Sequence, residues 1–434
     1  MIALIATILI DTAIVKIYDV VDKSFIPLHP KIILFSLNSM ACLLLQFLIM
    51  RQLRNSFRLD NFNGRLRTNL MYFISLTALC LLGSLIGFLI FQQFYYHYYS
   101  TVITIYIITI SYGTSVAFMG WLSVLFFSWY GTGRSKIIML YFLSMLIISS
   151  NLIITAISTD IKVTYRPEVT GPFVGGGGDI AGIRSTLVDN LLRITSFMSF
   201  CSIWVTTAVL MYCYKERLIN AIVLWILLSM PLIYFVVTYF YQLILAGTLI
   251  SYLEIDPVTV SIILSAFLSL SKPIGGFLFA VAFWNIAKLI SYEKNIRTFM
   301  IISGWGIFLV FAANQATVQM LTPYPPFGLA TLTVLNIAGY LMLLGIYNSA
   351  VLVSTNNTLR ESIRKHALES RLLGVIGHAE RDKEIQKTVR NIMESQELAG
   401  INKETKLDLD EKEMRRYIEV VIEEAKKNDK SSRY

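Results

Sequence analysis

The segment GLATLTVLNIAGYLMLLGIYNSAVLVS, residues 328–354, contains no charged side chain and is long enough to cross a bilayer as an α-helix. A hydrocarbon core about 30 Å thick requires roughly 20 apolar residues in helical form. Eight more apolar segments reach that length: 31–51, 70–92, 99–128, 136–157, 194–214, 218–246, 257–289 and 298–322. Because backbone groups in lipid must be hydrogen-bonded within their own segment, the sequence predicts an all-α, polytopic bundle of nine transmembrane helices.

The composition and the charge distribution agree with a membrane protein. Apolar residues make up 55% of the chain, and the mean hydropathy is +0.62, well above that of soluble domains. The net charge of +9 is not concentrated in the C-terminal segment, which from Thr355 onward contains 17 Lys and Arg and 16 Asp and Glu. This segment is therefore not a basic tail that would bind nucleic acid. We therefore expect the lipid bilayer and other proteins as partners, and no nucleic acid.

Basic residues alternate between the polar breaks that separate the apolar segments. They occur in every second break, at Arg51, Arg54, Arg58, Arg65, Arg67, Arg134, Lys136, Lys215, Arg217, Lys288, Lys294 and Arg297. The opposite breaks at 93–98, 247–256 and 323–327 contain no Lys or Arg. Since short cytoplasmic loops are enriched in Lys and Arg, the pattern predicts a plasma-membrane protein with a cytoplasmic C-terminus. The long loop 158–193 would then lie outside.

The first 21 residues leave two alternatives open. They start as an apolar stretch, but Asp11, Lys16 and Asp19 interrupt it. A charge at the centre of a span costs about 3 kcal/mol on insertion scales. The segment is therefore either a tenth, weakly apolar span or an amphipathic helix on the outside. In the first case Thr7, Asp11 and Tyr18 share one helical face and should point into the bundle.

A lysine followed by helix-breaking residues interrupts the segment 257–289. The sequence KPIGG beginning at Lys272 separates two apolar stretches, and a broken helix can form a substrate or ion site because it frees backbone groups. Asn314, Gln315 and Gln319 of the next segment could contact the amine and complete a candidate intramembrane polar site. The alternative, which we favour, places Lys272 near the outer interface, where its ammonium group extends to water.

The loop 158–193 holds a second candidate site. Its candidate ligand-binding residues are Arg166, Glu168 and Asp179. Four consecutive glycines before Asp179 predict a flexible hinge more than a phosphate-binding loop, since no Lys-Ser or Lys-Thr pair follows them. The sequence TLVD beginning at Thr186 resembles a capping box and predicts that the next helix begins outside the membrane.

The segment after the last span changes to an amphipathic pattern. Apolar residues recur at helical spacing between charged ones, at Leu359, Ile363, Leu372 and Ile376. We predict helices at about 357–398 and 409–427, the first of which continues the last span into the cytoplasm. Its apolar stripe must be buried against the second helix, another chain or the cytoplasmic loops. A protein partner or a homodimer through this tail is therefore expected.

No arrangement of side chains in the sequence indicates catalysis, a metal site or a cofactor. All four cysteines lie inside apolar segments without a C-x-x-C pair, and the four histidines are scattered. His378 lies in the helical sequence GHAER, as in a histidine-kinase acceptor, but too few residues follow it to form a kinase domain. We expect a non-enzymatic protein that binds no metal and no cofactor.

Two parts of the chain resemble uncharacterised multipass membrane proteins of archaea. They are YPPFGL at 324–329, at the start of the last span, and LRESIRK at 359–365 with LLGVIGH at 372–378 after it. The resemblance covers the last spans and the proximal tail. It implies no activity, and it implies that the last span and the tail act as one unit.

Three functions agree with these features. The leading hypothesis is a non-enzymatic membrane sensor or scaffold, in which the bundle receives a signal and the cytoplasmic tail passes it to a partner. The second is a secondary transporter or channel with its site near Lys272. The third is an intramembrane enzyme without a recognisable motif.

Overall fold

The computed structural model describes residues 1–20, 28–56, 62–97, 100–133, 135–164, 178–212, 221–240, 257–289, 294–314, 325–355 and 371–398. Within these ranges every element is an α-helix. The helices are α1 Ile2–Val20, α2 Leu28–Ser56, α3 Phe62–Tyr96, α4 Thr101–Gly133, α5 Lys136–Thr164, α6 Gly178–Tyr212, α7 Ala221–Phe240, α8 Pro257–Leu289, α9 Lys294–Asn314, α10 Leu329–Thr355 and α11 Arg371–Leu398. The predicted all-α class is confirmed.

Seven stretches of the described chain are long and apolar enough to cross a membrane. They are His29–Asn55, Leu66–Tyr96, Thr101–Thr132, Lys136–Thr164, Asn190–Met211, Lys294–Asn314 and Leu329–Thr355, and each coincides with a predicted span. The other two predicted spans correspond to the helices α7 and α8, which are not among the seven. The chain is therefore a membrane-type helical bundle, and a count of nine spans stays a prediction.

Helix α10 lies at the centre of the bundle. Residues 329–351 are all buried, although the segment reads in sequence like any other span. It packs most extensively against α9 and α4 and also contacts α1, α2, α3 and α11. By contrast, 33% of the residues in the most apolar 18-residue stretch of α2, and the same share in α3, are buried. Such a difference between core and lipid-facing helices is expected when apolar side chains are stable in either environment.

Small residues allow α10 to approach α9 closely. A Cβ atom at Gly306 of α9 would lie 2.6 Å from the backbone nitrogen of Met342 in α10, and a Cβ at Gly345 would collide with Ser303 of α9. Helices in membranes associate through this kind of close van der Waals contact, because burying apolar surface brings no hydrophobic gain there. The two glycines therefore fix α9 and α10 as one tightly packed pair.

Helix α1 packs against the bundle, and both alternatives for the N-terminus stay predictions. It contacts α2, α8 and α10, and Leu4, Ile8 and Asp11 form its buried face. Thr7 is half-buried, with its hydroxyl group bonded to the carbonyl oxygen of Leu4, and the side chain of Tyr18 lies outside the described residues. Among the residues whose side chains are described, Ile2–Asp11 forms a short apolar helix, and a tenth span stays a prediction.

Helix α11 folds back against the end of α10. A Cβ atom at Gly377 of α11 would collide with the side chain of Val353 in α10. In one straight helix these two residues would be 24 positions and about 36 Å apart. The prediction of a rigid helix that continues the last span is therefore wrong, because the apolar face of α11 is buried on the bundle. The predicted start near 357 and the helix at 409–427 lie outside the described residues.

Candidate functional site: a docked tail helix and a buried polar network

The first candidate site is the contact between α11 and the adjacent end of the bundle, which we call the tail dock. Leu373, Ile376, Ala379 and Glu380 form the buried face of α11. Their spacing of three, three and one residues places them on one side of a helix. This face packs against α10, α4 and α5. The prediction that Ile376 must be covered is confirmed, and among the described residues the cover is the protein's own bundle.

Glu380 is the polar centre of the tail dock. Its side chain is 4% exposed, and its Oε2 accepts a hydrogen bond of 2.6 Å from the indole nitrogen of Trp129 in α4. Its Oε1 lies 3.9 Å from the guanidinium group of Arg67 in α3, whose side chain is 39% exposed. A buried carboxylate is tolerated only when it is paired and hydrogen-bonded. Two helices of the bundle thus supply the partners that hold the charge of α11.

The tail dock is also linked to the central helix. The guanidinium carbon of Arg67 lies 5.8 Å from the ring centroid of Tyr347 in α10, within cation–π range. One residue later, Asn348 Oδ1 accepts a hydrogen bond of 3.1 Å from Thr68. Arg67 therefore connects the carboxylate of Glu380 to α10, and any displacement of α10 at this end changes the surroundings of the tail helix.

The second candidate site is a polar network buried among five helices. Its members, in order of contact, are Tyr112 of α4, Asn314 of α9, Asn151 of α5, Ser196 of α6 and Lys272 of α8. Tyr112 donates to Asn314 Oδ1 at 3.2 Å, and Asn314 donates to Asn151 Oδ1 at 3.3 Å. Asn151 Nδ2 and Lys272 Nζ both donate to Ser196 Oγ, at 3.2 Å and 3.3 Å. We call these five residues the polar network.

The ammonium group of Lys272 does not extend to water, in contrast to the alternative favoured by the sequence. The residue is 8% exposed, and its ammonium group points into the bundle toward Ser196. Among the described residues no carboxylate lies within ion-pair distance of it. The sequence prediction that Lys272 and Asn314 belong to one site is supported by the geometry, although Asn151 and Ser196 stand between them. Neither Asn151 nor Ser196 is among the predicted site residues, because the sequence does not tell which polar side chains of a span point into the bundle.

The predicted break in the helix around Lys272 is absent. Helix α8 runs without interruption from Pro257 to Leu289, with Pro273 inside it. The two glycines that follow allow close contacts instead: a Cβ at Gly275 would collide with Phe200, and a Cβ at Gly276 would lie 2.8 Å from Cβ of Phe311. Proline is tolerated within membrane helices because neighbouring groups satisfy the freed carbonyls. The glycines therefore serve packing and not an unwound binding site.

At the N-terminal end of α10, away from the tail dock, Asp11 and Thr331 form a polar contact that the sequence did not predict. Asp11 of α1 is 1% exposed, and its Oδ2 accepts hydrogen bonds from the backbone nitrogen and the hydroxyl group of Thr331, at 3.2 and 2.6 Å. Thr331 lies in the first turn of α10, which follows Gly328 with a positive φ of 91°. A carboxylate at a helix N-terminus satisfies unpaired N–H groups and interacts favourably with the helix dipole.

Several predicted site residues cannot be placed. Those outside the described residues are Gln315, Gln319, Arg166, Glu168, Leu359 and Ile363. Asp179 and Leu372 belong to α6 and α11, but their side chains are not described. Helix α6 begins at Gly178, earlier than the capping-box pattern at Thr186 suggested. The candidate ligand site in the loop thus stays a prediction.

Metal coordination finds no support in the described part of the chain. No group of three or more His, Cys, Asp or Glu side chains is arranged there to hold an ion. The rings of His29 and His97 are 5.7 Å apart, edge to face, but two ligands do not complete a structural site.

No protein-family model, curated protein or solved structure matches the chain. The resemblance to archaeal membrane proteins therefore stays a prediction, and the function has to be inferred from the two sites.

Proposed function

We propose that this protein is a non-enzymatic membrane sensor or scaffold whose tail helix α11 docks on its own bundle and is released when the bundle changes conformation. The observation that carries the proposal is the buried contact of Glu380 with Trp129 and Arg67. A tail that served only as a flexible linker would have no need of a buried carboxylate held by two separate helices.

The central helix provides a route from the far end of the bundle to the tail dock. At its N-terminus α10 is held by Asp11 of α1, and at its C-terminal end Tyr347 contacts Arg67. Between these ends the helix is fixed against α9 through Gly306 and Gly345. A rigid, tightly packed helix moves as a unit, so a shift at one end is transmitted to the other.

A test of this coupling changes the far end and measures the tail. Asp11→Ala removes both hydrogen bonds to Thr331, and we expect hydrogen exchange in residues 371–391 to rise several-fold in the full chain in detergent micelles. Thr77→Ala is the matched control, because its hydroxyl group is exposed and bonds only to its own helix. Unchanged exchange in a folded Asp11→Ala protein would show that the tail does not respond to α10.

We further propose that the tail is cytoplasmic and that the protein lies in the plasma membrane, as the alternation of basic breaks predicts. In intact cells, a membrane-impermeant thiol reagent should label Gly176→Cys in the loop and leave Ser395→Cys unlabelled. The unchanged protein is labelled in parallel, because its own cysteines set the background level of labelling. The reverse labelling pattern would invert the orientation.

The polar network supports a second candidate, a transporter or channel. The ammonium group of Lys272 is buried beside the hydroxyl group of Ser196, which in turn contacts the amide group of Asn151. Such groups can donate hydrogen bonds to a small anion. Chloride entry into proteoliposomes, measured with an entrapped chloride-sensitive dye, tests this. We expect Lys272→Met to abolish any flux and Arg193→Met, which removes an exposed charge one turn before Ser196, to retain it. Absence of chloride flux in the unchanged protein would contradict the proposal that it transports chloride.

A further inference from the structure

A cleft of about 280 Å³ lies between the end of α8 and the start of α9. It is lined by Trp284, Ala287, Lys288, Arg297, Ile301 and Trp305. The indole rings of Trp284 and Trp305 are 4.8 Å apart, and Trp284 donates a hydrogen bond of 3.3 Å to the carbonyl oxygen of Ile301. Both rings are therefore held in place at the edge of the bundle.

The aromatic surface of the cleft continues along the two helices away from the basic residues. Phe277 of α8 contacts Trp284, and Phe308 of α9 contacts Trp305, with ring centroids 5.7 and 6.0 Å apart. The rings of Phe277 and Phe308 are themselves 6.3 Å apart. Four rings thus form one apolar wall, of which Phe277 is half exposed. Such a wall matches an extended hydrocarbon chain.

The charges of the cleft are all positive. Lys288 and Arg297 are exposed, and within the described ranges neither has a carboxylate at ion-pair distance. Arg297 lies in the first turn of α9, where unpaired N–H groups and the helix dipole also favour an anion. The connecting segment contains Glu293, which lies outside the described residues. Tryptophan beside Lys or Arg is typical of the membrane interface.

We propose that this cleft is a binding site for one anionic phospholipid. Lys288 and Arg297 bind its phosphate group, and one acyl chain lies along Phe277, Trp284, Trp305 and Phe308. A phospholipid satisfies both halves of the cleft, because its phosphate is next to its hydrocarbon chains. A soluble phosphate would leave the aromatic wall uncovered. The inference does not rest on the proposed sensor function, since α11 takes no part in the cleft.

Native mass spectrometry of the full chain in detergent tests the proposal with equimolar phosphatidylglycerol and phosphatidylcholine of the same acyl chains. We expect preferential retention of one phosphatidylglycerol. Each basic side chain near a membrane surface contributes about fivefold to the binding of an anionic lipid, so Lys288→Gln with Arg297→Gln should weaken retention about 25-fold. Arg51→Gln with Lys136→Gln removes two exposed charges elsewhere and should change it less than about twofold.

A second measurement places the acyl chain. Phosphatidylglycerol with brominated chains should quench the tryptophan fluorescence of the protein, and Trp305→Phe should reduce the quenched fraction. Equal losses in the two double variants would overturn the proposal in favour of diffuse surface charge. Equal retention of both lipids, or displacement of the lipid by millimolar inorganic phosphate, would overturn it as well.

Discussion

The two buried charged side chains of the candidate sites are held in different ways. Glu380 in the tail dock receives an indole hydrogen bond of 2.6 Å and lies 3.9 Å from a guanidinium group. Lys272 in the polar network donates a hydrogen bond of 3.3 Å to a neutral hydroxyl group, and no described carboxylate lies within ion-pair distance of it. The first charge has a hydrogen-bond donor and a basic side chain nearby, whereas the second is hydrogen-bonded to a neutral hydroxyl group.

This difference separates a contact that fixes structure from one that is available for a ligand. Release of α11 would take Glu380 away from both Trp129 and Arg67, so this side chain adds to the cost of releasing the helix. A charge with only neutral neighbours can accept an opposite charge without breaking an ion pair, so Lys272 can respond to an anion.

Ile376→Glu should have the largest effect, because it removes a fully buried side chain from the tail dock and places a carboxylate there. We expect α11 to detach, with a loss of about 3 kcal/mol of docking free energy. Hydrogen exchange of residues 371–391 measures the loss, and thermal unfolding of the bundle should be unchanged. Gln386→Glu adds the same charge to the exposed face of α11 and should have no effect. Retained protection in Ile376→Glu would show that the dock is not held by this face.

Glu380→Ala should weaken docking by about 2 kcal/mol, since it leaves the indole N–H of Trp129 without an acceptor. The ion pair with Arg67 adds little to this value, because the arginine is 39% exposed and screened by water. Trypsin cleavage after Arg381 reports the release of α11. Glu384→Ala removes an exposed carboxylate one turn later in the same helix, and it should leave the cleavage rate unchanged. Equal cleavage rates for Glu380→Ala and Glu384→Ala would show that Glu380 does not hold α11 in the tail dock.

Lys272→Met should have the smallest effect on stability. It exchanges a buried ammonium group for an apolar side chain of similar length, and such exchanges are neutral or stabilising when the pairing was incomplete. We expect a change of less than about 1 kcal/mol and unchanged protection of α11. A strongly destabilised Lys272→Met bundle would show that the polar network is a structural element like the tail dock, and the comparison between the two sites would fail.

The candidate sites were only partly predictable. Lys272 stands out in sequence because a charged side chain is costly in a membrane. Asn314 is its predicted partner from the next segment, and the structure brings both into one network. Ser196 and Asn151, which connect them, could not be recognised, because nothing in the sequence tells which face of a span points inward. Glu380 could not be predicted either, because spacing in the sequence does not distinguish a buried carboxylate from the other acidic residues of the tail.

The sequence by itself determined the helical class and the positions of most membrane-type helices, since the length of an apolar segment and the need to satisfy its backbone groups in lipid are local properties. It also determined that Ile376 needs a cover. Only the tertiary structure decided that the cover is the bundle itself, that α10 is the central helix and that α8 is continuous through Pro273. Those outcomes depend on which helices approach each other, and contacts such as Gly377 with Val353 join residues that no local pattern relates.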